Sequence, residues 1–131
     1  GVCDTQDIAL SVLTTVIGHQ AEKGWAIVDA GWMAMSRDRG TQKQKRDHGY
    51  GQVCAADGTV LDGYVLIGAN QEHGILSREG APDTGIETRF PIGTQLRILP
   101  NHACATGAQF PGYHALAHDG TLASWSRLHG W

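Results

Sequence analysis

The chain has 131 residues, 41% of them hydrophobic and 18% charged, with a formal net charge of −3. That length suits one domain and is too short for a (β/α)8 barrel of roughly 250 residues. The charge balance offers no basic stripe for nucleic acid, since the longest basic cluster, Lys43 to Arg46, reads as a solvated loop. No apolar run approaches the roughly 18 residues of a membrane span, and no basic-then-apolar leader is visible. Eighteen glycines against four prolines are spread along the chain and punctuate many short elements, which predicts an all-β domain rich in turns.

Residues Ile8 to Gln20 come first. Val12, Thr14 and Val16 alternate with Leu13, Thr15 and Ile17, a density of β-branched residues that predicts a strand apolar on both faces. Gly24 breaks the chain before a second apolar run, Trp25 to Ala30, and Gly31 separates that run from Trp32–Met35. Asp29, Ser36 and Asp38 flank this segment and read as cap and turn residues. Arg37 to Asp47 reads as an exposed loop, long enough to be mobile.

Two hairpins follow from Asp-Gly pairs between alternating runs. Tyr50–Cys54 leads through Asp57–Gly58 to Thr59–Leu61, and Tyr113–Ala117 leads through Asp119–Gly120 to Thr121–Trp125. Both turn residues are expected at positive φ. Tyr64–Ala69 reads as a further strand ending at Asn70–Gly74, Ser77–Phe90 as a loop, and Gln95–Leu99 as a strand stopped by Pro100. The sum is seven or more strands in a closed or nearly closed antiparallel barrel or sandwich.

Seven histidines invite a search for metal ligands. The tightest pattern is His102–Ala103–Cys104. On an extended backbone, residues two apart share a side, so this pair could grip one ion and leave positions open for substrate, as a catalytic metal requires. Imidazole with thiolate suits Zn²⁺ or another borderline divalent ion. Glu72 and His73 follow a strand and could place a carboxylate and an imidazole at a site. His114 and His118 share a face and read as a solvent-facing pair. Cys3, Cys54 and Cys104 are odd in number and far apart, which predicts reduced thiols and a cytoplasmic location.

Three stretches together resemble the C-terminal domain of fold-type III pyridoxal-phosphate (PLP) enzymes acting on D-β-hydroxy amino acids. They are Ile27–Gly31, Gln71–Gly74 and Leu99–Thr106. The family includes D-serine dehydratases, D-threonine aldolases and D-threo-3-hydroxyaspartate dehydratases. Likeness to the last group is strongest, through Gly24–Gly40, Arg97–Phe110 and the ending Arg127–Trp131. The resemblance implies an alanine-racemase-like C-terminal β-domain that follows a PLP-binding barrel, usually in a homodimer.

It also implies a divalent metal (Zn, Mn, Co or Mg) on His102 and Cys104, with Cys at the second position pointing to the dehydratases. Glu72 and His73 become catalytic candidates, either supporting the metal's ligands or facing the substrate. The family's Schiff-base lysine belongs to the barrel, and Lys23, Lys43 and Lys45 do not match its motif. The expectation is therefore that residues 1–131 form a single β-domain, the C-terminal part of a larger enzyme and inactive alone. That enzyme would eliminate water from D-3-hydroxyaspartate or a D-serine-like substrate to give a keto acid and ammonia. The alternatives are an aldolase-type lyase and a non-catalytic metal-binding or dimerisation β-module. Arg37, Arg39, Arg78 and Arg89 are candidates to meet a second substrate carboxylate. In this family the β-domain also borrows chain from the extreme N-terminus, which predicts a missing strand and an unpaired edge.

Overall fold

A computed structural model describes residues 4–128. Cys3 and the last three residues of the Arg127–Trp131 stretch lie outside them. Among the described residues there are eight strands: β1 (Val12–Gln20), β2 (Trp25–Val28), β3 (Gly51–Ala55), β4 (Val60–Ala69), β5 (Gly74–Arg78), β6 (Gln95–Pro100), β7 (Gly112–Leu116) and β8 (Leu122–Ser126). Three short helices join them: α1 (Trp32–Met35), α2 (Ile86–Arg89) and α3 (Ala103–Gly107). Six strands close into an antiparallel barrel in the order β1-β2-β5-β4-β3-β6, and β7-β8 form a separate two-stranded sheet.

The barrel core follows from alternation. Val12, Thr14 and Val16 of β1 point inward and are buried, while Leu13 and Ile17 are 59% and 50% exposed. The first strand is thus apolar on both faces in composition but buried on one, and it begins at Val12 rather than Ile8. Ala26 and Val28, Val53, Leu66, Leu76, Leu96 and Ile98 fill the interior with them. Ile86 and Phe90 from the α2 region and Met35 from α1 complete the same core. The Tyr64 and Phe90 rings meet edge to face, with centroids 5.1 Å apart, a favoured aromatic geometry.

Both predicted hairpins form, with a different turn. Gly58 and Gly120 have φ of +95° and +83°, whereas Ser36 is the one non-glycine residue at positive φ among those described. Asp57 and Asp119 therefore keep negative φ. Gly58 N donates to Ala55 O and Ala55 N to Thr59 O, and the same pattern recurs at Ala117, Gly120 and Thr121. These are type I turns followed by a left-handed glycine, the three-residue hairpin loop. Each aspartate accepts from the backbone N–H two residues on, Thr59 and Thr121, at 2.9 Å.

Thr59–Leu61 and Tyr64–Ala69, read separately in the sequence, lie along one hairpin arm. The β4 strand runs through Asp62–Gly63, and the interruption is a bulge: Val60 and Val65 pair with Cys54 and Gln52. The Ser77–Phe90 loop reading also needs correction, because β5 takes in Ser77 and Arg78 and α2 lies at Ile86–Arg89. The Trp32–Met35 run is a helical turn. Among the described residues six strands close the barrel without an open edge, and the unpaired edges lie on β7 and β8.

Candidate metal centre

At one end of the barrel the chain leaves β2 for α1, turns between β4 and β5, and leaves β6 for α3. Gly31 sits where the first two meet. A Cβ there would lie 2.2 Å from Asn70 O and 2.5 Å from Gln71 O, so only glycine fits this approach. Trp32 N donates to Asn70 O at 2.8 Å, and Asn70 N to His73 O at 2.8 Å closes the tip. Helix α1 is then bound to α3. Thr106 Oγ1, fully buried, donates to Met35 O at 2.7 Å, and Gln109 Nε2 donates to Trp32 O at 2.9 Å. The three stretches that carried the resemblance are thus linked by hydrogen bonds at one end of the molecule.

The link between α1 and α3 sets His102 beside the segment after α1. Ser36, with φ of +75°, turns the chain, and its Oγ accepts from Asp38 N at 3.2 Å. Asn101 Nδ2 donates to Gly49 O at 2.6 Å and reaches Asp38 O at 3.5 Å. An open cleft of about 460 Å³ results, lined by Asp38, Arg39, Gly40, Asn101 and His102. Inside it His102 Nδ1 pairs with Asp38 Oδ2, both side chains about half exposed (50% and 49%).

His102 and Cys104 are close in the chain, but not for the reason their spacing suggested. His102 keeps extended backbone, φ −137° and ψ 95°, as the residue before α3, and Cys104 lies within the helix. Strand alternation does not apply; the strand-to-helix turn sets their relation. Cys104 is exposed, Cys54 is buried, and neither is in a disulfide. Burial pushes the Cys54 thiol up from its ordinary range, which keeps it protonated and inert. Cys104 is the accessible thiol of the two.

The donors fit a borderline divalent cation. An ionised carboxylate only accepts, so His102 Nδ1 is the donor to Asp38 and Nε2 is the ring nitrogen left for an ion. That nitrogen and the Cys104 thiolate are the imidazole and sulfur ligands such ions take. Among the described residues no group of three or more His, Cys, Asp or Glu side chains is arranged to hold a metal. Asp38, His102 and Cys104 do not form such a group; the residues that would hold a metal are His102 and Cys104.

Glu72 and His73 are exposed at the β4–β5 tip. Glu72 Oε1 accepts from Gln71 Nε2 at 3.1 Å, and His73 Nε2 lies 3.3 Å from Asn70 Nδ2. Among the described residues no hydrogen bond joins them to His102 or Cys104. His114 and His118 are solvent-facing, as read. Of the four arginines, Arg39 lines the cleft and pairs with Asp47. Arg37 stacks 4.3 Å over Trp32, and Arg89 binds Asp83. Asp38 is the residue sequence reasoning missed. The rule that a metal-bound histidine needs a partner on its other nitrogen calls for such a residue, but nothing in the sequence identifies which one.

A β-barrel of this topology, with a His-x-Cys pair at the end of a barrel strand, defines a class. The chain belongs to the family described as "Putative serine dehydratase domain", whose model matches residues 9–116. It is 73% identical to the D-threo-3-hydroxyaspartate dehydratase of Delftia sp. (strain HT23), over all of this chain and 35% of that enzyme. The solved structure of that enzyme superposes with a TM-score of 0.95. A D-serine dehydratase of Dictyostelium discoideum is 31% identical over 93% of this chain and 30% of its own length. The crystal structure of an alanine-racemase-like protein from Idiomarina loihiensis is 55% identical, with a TM-score of 0.91 over all of this chain and 34% of that one. The chain thus spans about a third of the length of the relatives it matches.

Proposed function

We propose that this chain is the metal-bearing β-domain of a dehydratase that removes water from a D-β-hydroxy amino acid, D-3-hydroxyaspartate first among them. The observation that carries this reading is the Asp38–His102 pair in the cleft, with the exposed Cys104 two residues further along the chain and outside the cleft's lining. The 73% identity to a D-threo-3-hydroxyaspartate dehydratase supports the substrate class. Structures of that enzyme include a histidine-to-alanine variant and a cysteine-to-alanine variant, the second in a metal-free form. The two altered residues lie two apart, as His102 and Cys104 do.

His102 Nε2 and Cys104 Sγ would hold the divalent metal, and Asp38 keeps the proton on Nδ1. When bound, the metal would polarise the substrate β-hydroxyl as a Lewis acid, and PLP on the adjoining barrel would accept electrons from Cα. Arg39 supplies a cation on the cleft wall, and Asn101 holds that wall to the end of β6. Glu72 and His73, exposed on the tip that anchors α1, are assigned to the substrate side.

The working form in this reading is a homodimer in the cytoplasm, each chain carrying its own PLP barrel. No described helix is long and apolar enough to cross a membrane.

Product analysis on the full-length enzyme tests the reaction. Oxaloacetate and ammonia are expected from D-3-hydroxyaspartate. Glycine and glyoxylate in their place would establish the aldolase alternative. The 131-residue chain supplied with PLP and metal is expected to form no keto acid.

A further inference from the structure

We propose that Asp38 is a positioning residue for the metal, acting through His102, a proposal that rests on the reading of His102 as a ligand. Asp38 lies 64 residues from His102, and no local chain geometry joins them. Four hydrogen bonds bring it there. Ser36, strained at φ +75°, accepts from its N–H; the Asn101 amide reaches its carbonyl; and the α1–α3 bonds from Thr106 and Gln109 hold the two segments in register. All of this backbone restraint ends in one carboxylate aimed at one ring nitrogen.

Folding stability does not explain the arrangement. With both side chains about half exposed, the pair is solvent-screened and contributes little. Its effect falls on the imidazole. The carboxylate fixes the tautomer with Nδ1 protonated, holds the ring plane, and makes Nε2 a better electron donor. Asp38 is bonded to Nδ1, and Nε2 is the ring nitrogen left for the metal, so its carboxylate stands on the far side of the imidazole from the ion.

The test uses the full-length enzyme, stripped of metal and titrated with Co²⁺ alone, whose absorption bands report both binding and coordination. Loss of an outer partner of this kind costs roughly 10–100-fold in metal affinity. Asp38→Ala is expected to weaken Co²⁺ binding by that factor, with the saturated spectrum unchanged. Asp38→Asn keeps a hydrogen-bond acceptor but not the charge, and is expected to fall between Asp38→Ala and wild type. If the alanine variant does not fold, the asparagine variant alone carries the comparison, and wild-type affinity in it overturns the proposal. Wild-type affinity in a folded Asp38→Ala would also overturn it, as would a changed spectrum at saturation, which would make Asp38 a direct ligand. His102→Ala separates the two levels. Its loss of Co²⁺ while both Asp38 variants bind normally would sink only the role of Asp38; its retention of Co²⁺ would sink the metal site itself.

Discussion

Gly31 carries no chemistry, yet the site end of the barrel depends on it. A methyl group there would overlap the Asn70 and Gln71 carbonyl oxygens, which are backbone atoms and cannot swing away. Gly31→Ala is expected to cost about 2 kcal/mol or more, as overpacked sites do, and to weaken metal binding by shifting α1. Urea denaturation and metal titration of the same variant check both effects; a stable variant with normal metal binding would contradict them. The glycine's place between two apolar runs was legible in the sequence, but the partner it approaches was not. Asp38 shows the same limit. Its role depends on a contact 64 residues away, whereas a sequence displays only near spacing, and so a turn residue was the natural reading.

Strands and turns were legible where chemistry is local. Alternation marked β1, β3 and β6, and Asp-Gly marked both hairpins, although the aspartates bond forward at negative φ instead of adopting the left-handed conformation. What stayed hidden were features settled across strands. The β4 bulge is one, since Asp62–Gly63 looks like a strand end until Gln52 is seen opposite. The buried Gln52 amide donates to Leu61 O at 3.2 Å and Tyr64 O at 2.9 Å, replacing ladder bonds that the bulge removes. Gln52→Leu strands those carbonyls in the interior, at about 1–3 kcal/mol for each unsatisfied group. Chemical denaturation is expected to show a loss in this range; stability equal to wild type would mean that the bulge satisfies itself. The β5 strand was hidden for another reason: its Ser77 and Arg78 match the polar loop that follows. Ser77 is buried because its hydroxyl donates to Gly24 O at 3.1 Å.

For the molecule as a whole, the all-β barrel was legible from glycine spacing and alternation. A closed or nearly closed antiparallel arrangement was legible too; that six strands make the barrel, with β7 and β8 apart, was not, because this depends on the pairing of β1 with β6. One buried polar cluster ties the 79–85 segment to the barrel wall. Asp83 sits at about 2, held below its ordinary value first by the Tyr64 hydroxyl, then by Gly85 N–H and by Arg89. A lowered carboxyl stabilises the fold fully above its unfolded value of about 3.9. That contribution shrinks as pH falls from there and is gone below about 2. Asp83→Asn should therefore be less stable at neutral pH, with the gap closing across that acid window. Denaturation curves that stay equally separated throughout would contradict this. The central claim, however, concerns His102 and Cys104. The direct measurement is the metal content of the full-length enzyme after exhaustive dialysis, compared with His102→Ala and Cys104→Ala. Wild type is expected to retain a divalent ion and both variants to lose it. Equal metal in all three would contradict the account.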